Sequence, residues 1–231
     1  MDPGGVFFVD ANGLWALDFD GGQRFLDGAL NSAIFGNTDI ALTPGAVIYA
    51  TGRAELRTVP RDGGTPGDLY AGPPGSTINA VRTDGGWAWF LLSNAPDAGL
   101  YAVPLDGSSD AGRVSAAPQA GASLTLFGGG FLWTDPSSLS QLSPAGVSSP
   151  LATSLDAPER PVVLDQAVYF TQRTSSRSPA FLQAVSLCLP GATAAAVGPP
   201  GVGATEVVTD GSALYFTSAQ QGAEGFVGRL P

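Results

Sequence analysis

The chain has 231 residues, 44% of them hydrophobic and only 13% charged, enough to bury a large apolar core. Its formal net charge is −10 and all 10 basic residues are arginine, which disfavours phosphate backbones and anionic membranes and removes nucleic acid from the partners to consider. With no histidine and one cysteine, Cys188, it can build no histidine-based triad or general base, no ordinary zinc or iron site and no intramolecular disulfide.

In chain order, Met1-Asp2-Pro3-Gly4-Gly5 lacks the basic start and the apolar stretch of about 7–15 residues that make a signal peptide, and no later segment approaches the ~18 apolar residues of a membrane span. A short apolar strand then recurs around the aromatic anchors Phe8, Tyr49, Phe90, Trp133, Phe170 and Phe216. Successive anchors lie 41, 41, 43, 37 and 46 residues apart. That is the period of a propeller blade, roughly 40–50 residues in four strands.

The third copy is the clearest. It predicts an inner strand at Ala80-Val81-Arg82-Thr83, a turn at Asp84-Gly85-Gly86, a second strand from Trp87 to Leu92, a third from Leu100 to Leu105, a turn at Asp106-Gly107-Ser108 and an outer strand near Arg113-Val114. The sixth copy repeats the opening with Val207-Val208-Thr209, Asp210-Gly211-Ser212 and Leu214-Tyr215-Phe216-Thr217. Asp-Gly pairs at these positions suit hairpins that need positive φ. Pro60 and Pro104 fall in third strands, where a proline must sit at a strand end or bulge. Gly128-Gly129-Gly130 reads as a turn, and Cys188, in the run Val185-Ser186-Leu187-Cys188-Leu189, as a small buried hydrophobe. Trp87 and Trp89 alternate on one strand and share a sheet face opposite Phe90, either as packing between blades or as a sugar-stacking platform.

Both ends of the chain fall inside a repeat, so six four-stranded blades are short of one inner and one outer strand. The expected fold is therefore all-β, a six-bladed β-propeller of four-stranded antiparallel blades with incomplete terminal blades, residues 1–231 forming a single domain. Further polypeptide is expected to complete the ring, because open strand edges invite pairing.

Phe7-Phe8-Val9-Asp10, followed by Leu17-Asp18-Phe19-Asp20-Gly21-Gly22, together with Leu132-Trp133-Thr134-Asp135, resembles the YWTD repeat of the low-density lipoprotein receptor class. Tyr169-Phe170-Thr171, Tyr215-Phe216-Thr217 and Pro104-Leu105-Asp106-Gly107 are more similar still to bacterial six-bladed propellers of the TolB-like group. The resemblance covers essentially the whole chain. It implies extracytoplasmic binding of a protein or ligand, while the fourth aspartate of the YWTD pattern survives only at Asp10 and Asp135.

In a propeller the connections between second and third strands collect on one face, where ligands commonly bind. That register offers Asp10 and Asn12, Arg53 and Glu55, Asn94 and Asp97, Asp135, Arg173 and Arg177, and Gln220, Gln221 and Glu224. Converging carboxylates there would suit a calcium ion or an acid/base pair on a glycan, and a guanidinium pair would suit an acidic surface. No residue is assigned a catalytic role and no cofactor is required, calcium being the one ion these ligands would fit. The expected function is a non-catalytic, extracytoplasmic scaffold binding a protein or carbohydrate; the alternative is a calcium-assisted or carboxylate-based lyase or hydrolase acting on a glycan or lactone.

Overall fold

A computed structural model describes residues 5–10, 12–28, 39–51, 54–116, 123–128, 130–143, 147–172, 181–189, 191–197, 204, 206–218 and 226–230. The chain divides into two compact units, Met1–Ala120 and Gly121–Pro231. Each holds three antiparallel sheets whose strands follow one another in sequence order.

In the first unit, sheet one comprises β1 (Val6–Asp10), β2 (Gly13–Leu17) and β3 (Gln23–Asp27). Sheet two comprises β4 (Ile40–Leu42), β5 (Ala46–Ala50), β6 (Glu55–Pro60) and β7 (Gly67–Ala71). Sheet three comprises β8 (Thr77–Thr83), β9 (Trp87–Ser93), β10 (Gly99–Pro104) and β11 (Gly112–Ser115). In the second unit, sheet four comprises β12 (Ser123–Phe127), β13 (Gly130–Asp135), β14 (Ser138–Leu142) and β15 (Ser148–Thr153). Sheet five comprises β16 (Glu159–Leu164), β17 (Ala167–Gln172), β18 (Phe181–Ser186) and β19 (Ala195–Ala196), and sheet six β20 (Glu206–Thr209), β21 (Leu214–Ser218) and β22 (Phe226–Leu230). Six consecutive up-and-down sheets of three or four strands are the blades of a six-bladed β-propeller, with the terminal blades incomplete.

Register shows which strands the end blades lack. A bulge recurs between the third and fourth strands of sheets two, three and four, at Leu56/Arg57, Leu100/Tyr101 and Leu139/Ser140. The same bulge lies between β2 and β3, at Leu14/Trp15, so those are third and fourth strands and sheet one has no counterpart of a first strand among the described residues. In sheet six the Asp210-Gly211-Ser212 turn joins β20 to β21 as Asp84-Gly85-Gly86 joins β8 to β9, so the strand without a counterpart among the described residues there is the fourth. Gly85 and Gly211 hold φ of 96° and 87°, and a Cβ at either would meet no neighbouring atom. The turn selects glycine by backbone conformation rather than for lack of room.

The core lies between neighbouring sheets of each unit. The uninterrupted apolar strand β5 alternates its side chains between two packing faces. Val47 and Tyr49 meet Leu14, Ala16 and Leu26 of sheet one. Ile48 and Ala50 join the cluster with Ile78, Val81, Phe90 and Leu92 of sheet three. In the second unit Val168 and Phe170 pack with Leu132, Leu139 and Leu151, and on the other face Tyr169 packs with Val207 and Phe216. Sheets one and two are also tied through Asp27, which accepts hydrogen bonds from the Tyr49 hydroxyl and from Arg57; Arg57 in turn pairs with Asp68 at 2.8 Å.

Pro60 and Pro104 end β6 and β10, as the missing amide requires. Cys188 departs from the sequence expectation. Strand β18 stops at Ser186 and Cys188 lies exposed in the following turn, its amide donating to Ser186 Oγ at 3.2 Å. The apolar run crosses the boundary from strand to turn, so alternation does not persist through it.

Candidate functional site

The described carboxylates that the sequence places on one end of the blades, Asp10, Glu55, Asp97 and Asp135, are each used locally. Asp10 closes the β1–β2 turn: Oδ1 accepts from the amides of Asn12 at 2.8 Å and Gly13 at 3.1 Å and from the Trp15 indole at 2.8 Å. These bonds, that from the Asn12 amide foremost, together hold its pKa below the ordinary 3.8 against the opposing effect of desolvation. Asp135 closes the β13–β14 turn, accepting from the Ser137 amide at 2.9 Å and from the Ser138 hydroxyl. The fourth-position aspartate thus stands where the second and third strands are joined by a tight turn.

Glu55 accepts from the Thr51 hydroxyl at 3.2 Å across the β5–β6 connection. Asp97 accepts from the Tyr101 hydroxyl at 2.8 Å; burial, then this bond, push the Tyr101 pKa up to about 12. Asn94 sits at φ 56° and donates to Thr77 Oγ1 at 3.2 Å, and Asn12 donates to Asp10 Oδ2 at 3.4 Å. Asp10, Glu55 and Asp97 therefore occupy equivalent connections of three consecutive sheets, each bonded within its own blade. Arg53, Arg173, Arg177, Gln220, Gln221 and Glu224 lie outside the described residues. Among the described residues no three of Asp, Glu, Cys or His gather as a metal site.

The same cap chemistry recurs at the opposite blade ends. Asp84 accepts from the Gly86 and Trp87 amides at 3.0 and 2.8 Å and from the Trp89 indole at 3.3 Å. Asp210 accepts from the Ser212 and Ala213 amides at 2.8 and 2.9 Å and from the Tyr215 hydroxyl at 2.8 Å. For Asp84 partial burial pulls upward but the hydrogen bonds outweigh it; for Asp210 the Ser212 amide and hydroxyl lead a strong depression. In Asp10, Asp84 and Asp210 alike, an aromatic five residues on supplies the last donor.

One feature of sheet three is not absorbed by folding. Trp87 and Trp89 stand on the same face of β9 with ring centroids 6.2 Å apart and planes inclined by 38°, and Trp87 is 42% exposed. Trp89 is opposite Ala102 of β10, and Ala102 is opposite Gly112 of β11. Small residues thus floor a cleft of about 330 Å³ that the tryptophans wall and Ser109, Asp110, Arg113 and Val114 rim. A Cβ on Gly112 would meet nothing within 4 Å, so the space above it is open. Arg113 is committed to the Ala98 carbonyl at 2.6 Å. The alternation of Trp87 and Trp89 was legible in the sequence, but packing between blades does not describe the exposed Trp87, while Trp89 is half-buried and bonded to Asp84.

No protein-family model and no curated protein matches the chain. Solved structures match its fold. A protein assigned as TolB from Agrobacterium tumefaciens has a TM-score of 0.62 at 13% identity, over 80% of this chain and 71% of that one. TolB from Acinetobacter baumannii gives 0.62 at 16% identity, over 94% of this chain and 56% of that one. A prolyl endopeptidase gives 0.62 at 11% identity, over 97% of this chain and 42% of that one. At these identities the likeness is one of fold, and the chain spans about half the length of the latter two. No helix of the described residues is long and apolar enough to cross a membrane.

Proposed function

We propose that this chain is a non-catalytic, TolB-like propeller module with YWTD-like repeats, and that it binds a partner protein outside the cytoplasm through the Trp87–Trp89 cleft. The cleft carries the reading: large aromatics held on a rigid strand over a floor of small residues are the usual anchors of protein recognition. The acidic balance of the chain, net −10, favours a partner whose complementary surface is basic. The likeness to two TolB structures supports a binding role and an extracytoplasmic setting. The likeness to the endopeptidase does not carry peptidase chemistry here, since a chain without histidine cannot supply the histidine of a Ser-His-Asp triad.

The test is cross-linking mass spectrometry on the chain in its source cells, with Trp87→Ala beside the native protein. Trp87 is 42% exposed, so the substitution should cost less than the ~3–5 kcal/mol of truncating a core aromatic, and a Tm measured beside the native protein checks that the variant folds. Cross-links from the Ser109–Arg113 segment to one protein, lost in the variant, are expected. Identical cross-links in both would overturn the assignment of the cleft.

A further inference from the structure

The second unit holds a pocket of different chemistry. It occupies about 460 Å³ where the outer parts of sheets four and five meet, lined by Thr153, Ser154, Gln172, Gln183 and Thr193 above Leu155, Ala192 and Ala194. Several features show how the chain builds it. Phe170 and Gln172 alternate onto one face of β17, and Gln183 of β18 is paired with Phe170, so both glutamines stand on the face that packs against sheet four. Below them the apolar core ends in the partly buried Leu155, Ala192 and Ala194. The wall is closed by the Gly191 amide, which donates to the Leu151 carbonyl at 3.0 Å. Ser154 turns the chain out of β15 at φ 60°, a conformation that costs a non-glycine residue on the order of 1–3 kcal/mol and that recurs at binding sites.

Among the described residues the lining has no charged group, although the chain as a whole carries −10. Its polar members are two carboxamides and three hydroxyls, none hydrogen-bonded through its side chain to another described residue. Each can both donate and accept. The two carboxamides are half-buried while Thr153, Ser154 and Thr193 lie exposed around them, and groups of mixed donor and acceptor character match hydroxyls, which are themselves both. Among the described residues an ionic ligand would find no counter-charge in this lining to offset its lost hydration. The volume lies in the lower part of the range of about 300–1,000 Å³ usual for small-ligand sites, and a floor of leucine and alanine suits the apolar face of a sugar ring.

We propose that this pocket between sheets four and five is a binding site for a neutral saccharide, held by Gln172 and Gln183 with Thr153, Ser154 and Thr193. It is separate from the tryptophan cleft and does not depend on it.

The experiment is saturation-transfer NMR, followed by calorimetry, of the full chain with maltose, cellobiose and N,N′-diacetylchitobiose at up to about 10 mM, a range that captures millimolar affinity. Glucuronic acid, glucosamine and a blocked Gly-Ser-Gly peptide serve as comparison ligands. At least one neutral disaccharide is expected to bind. The Gln172→Ala/Gln183→Ala double variant should weaken it about tenfold or more, Thr193→Val should weaken it less, and Trp87→Ala should leave it unchanged. Near-native Tm values would show that the variants fold, and Thr193→Val, which keeps side-chain volume, serves if the double variant does not. The proposal is overturned if no neutral saccharide binds, if Gln172, Gln183 and Thr193 variants that fold bind as well as the native chain, or if a charged sugar or the peptide binds tenfold more tightly.

Discussion

At the scale of single residues, the aspartates of this protein are turn-formers before they are anything else. Asp210 accepts hydrogen bonds from two amides and two hydroxyls, which lowers its pKa from the ordinary 3.8. A carboxylate whose pKa is depressed by folding stabilises the native state above its unfolded value, and that stabilisation drains away as pH falls toward the folded value. Urea unfolding followed from about pH 6 to pH 2 should therefore show stability falling below about pH 4, and Asp210→Asn should flatten that limb. An unchanged acid limb would mean that the cap contributes nothing. The alkaline side has its own marker. Tyr101, raised from 10.0 to about 12, contributes stability below its unfolded value that disappears as pH climbs through the folded one, so Tyr101→Phe should reduce the loss of stability between pH 10.0 and about 12. The aspartates were visible in the sequence as turn residues, and the repeat register put Asp10 and Asp84 at opposite ends of a blade, but the indole that completes each cap was not legible there.

At the scale of elements, stability rests on the apolar layers between sheets and on a few polar ties set into them. Phe90, fully buried, faces sheet two and packs near Tyr70 with ring centroids 4.8 Å apart. Phe90→Ala should cost about 3–5 kcal/mol in urea unfolding. The Asp27–Tyr49–Arg57 tie makes a sharper case, because removing one partner strands another. Side chains of Asp27 and Arg57 are 11% and 16% exposed, so Arg57→Ala leaves a nearly buried carboxylate with less compensation and should cost about 3–5 kcal/mol, whereas Tyr49→Phe should cost about 1–3 kcal/mol. Equal and small effects, below ~0.5 kcal/mol, would show that the tie is ornamental to stability. None of this pairing could be read from sequence, since Asp27 and Tyr49 are brought together by sheet packing rather than by spacing.

For the molecule as a whole, the repeat runs through both units without a change of composition, and we propose that residues 1–231 fold as one domain. Differential scanning calorimetry of the full chain should then give a single transition whose van't Hoff and calorimetric enthalpies agree. Two resolved transitions would divide it. The non-catalytic reading has a companion expectation: calcium at millimolar concentration should leave Tm unchanged, since a ligand raises Tm only by binding the native state. A rise would direct attention back to Asp10, Glu55, Asp97 and Asp135.

By itself the sequence determined the architecture. A blade needs four short strands and three turns, so its period is a local property repeated along the chain, with Asp-Gly turns in the first, second, third and sixth copies and strand-end prolines in the second and third, and counting these is enough to reach six blades with 22 strands, the number found among the described residues. Tertiary structure decided the sites. Trp87 and Trp89 became a cleft because Ala102 and Gly112, on two other strands, leave room beside them. Gln172 and Gln183 became a pocket because the turn at Ser154, just after β15, and another after β18 close around them. Binding surfaces are made by residues that meet across strands and sheets, and a chain read in one dimension carries their identities but not their meeting.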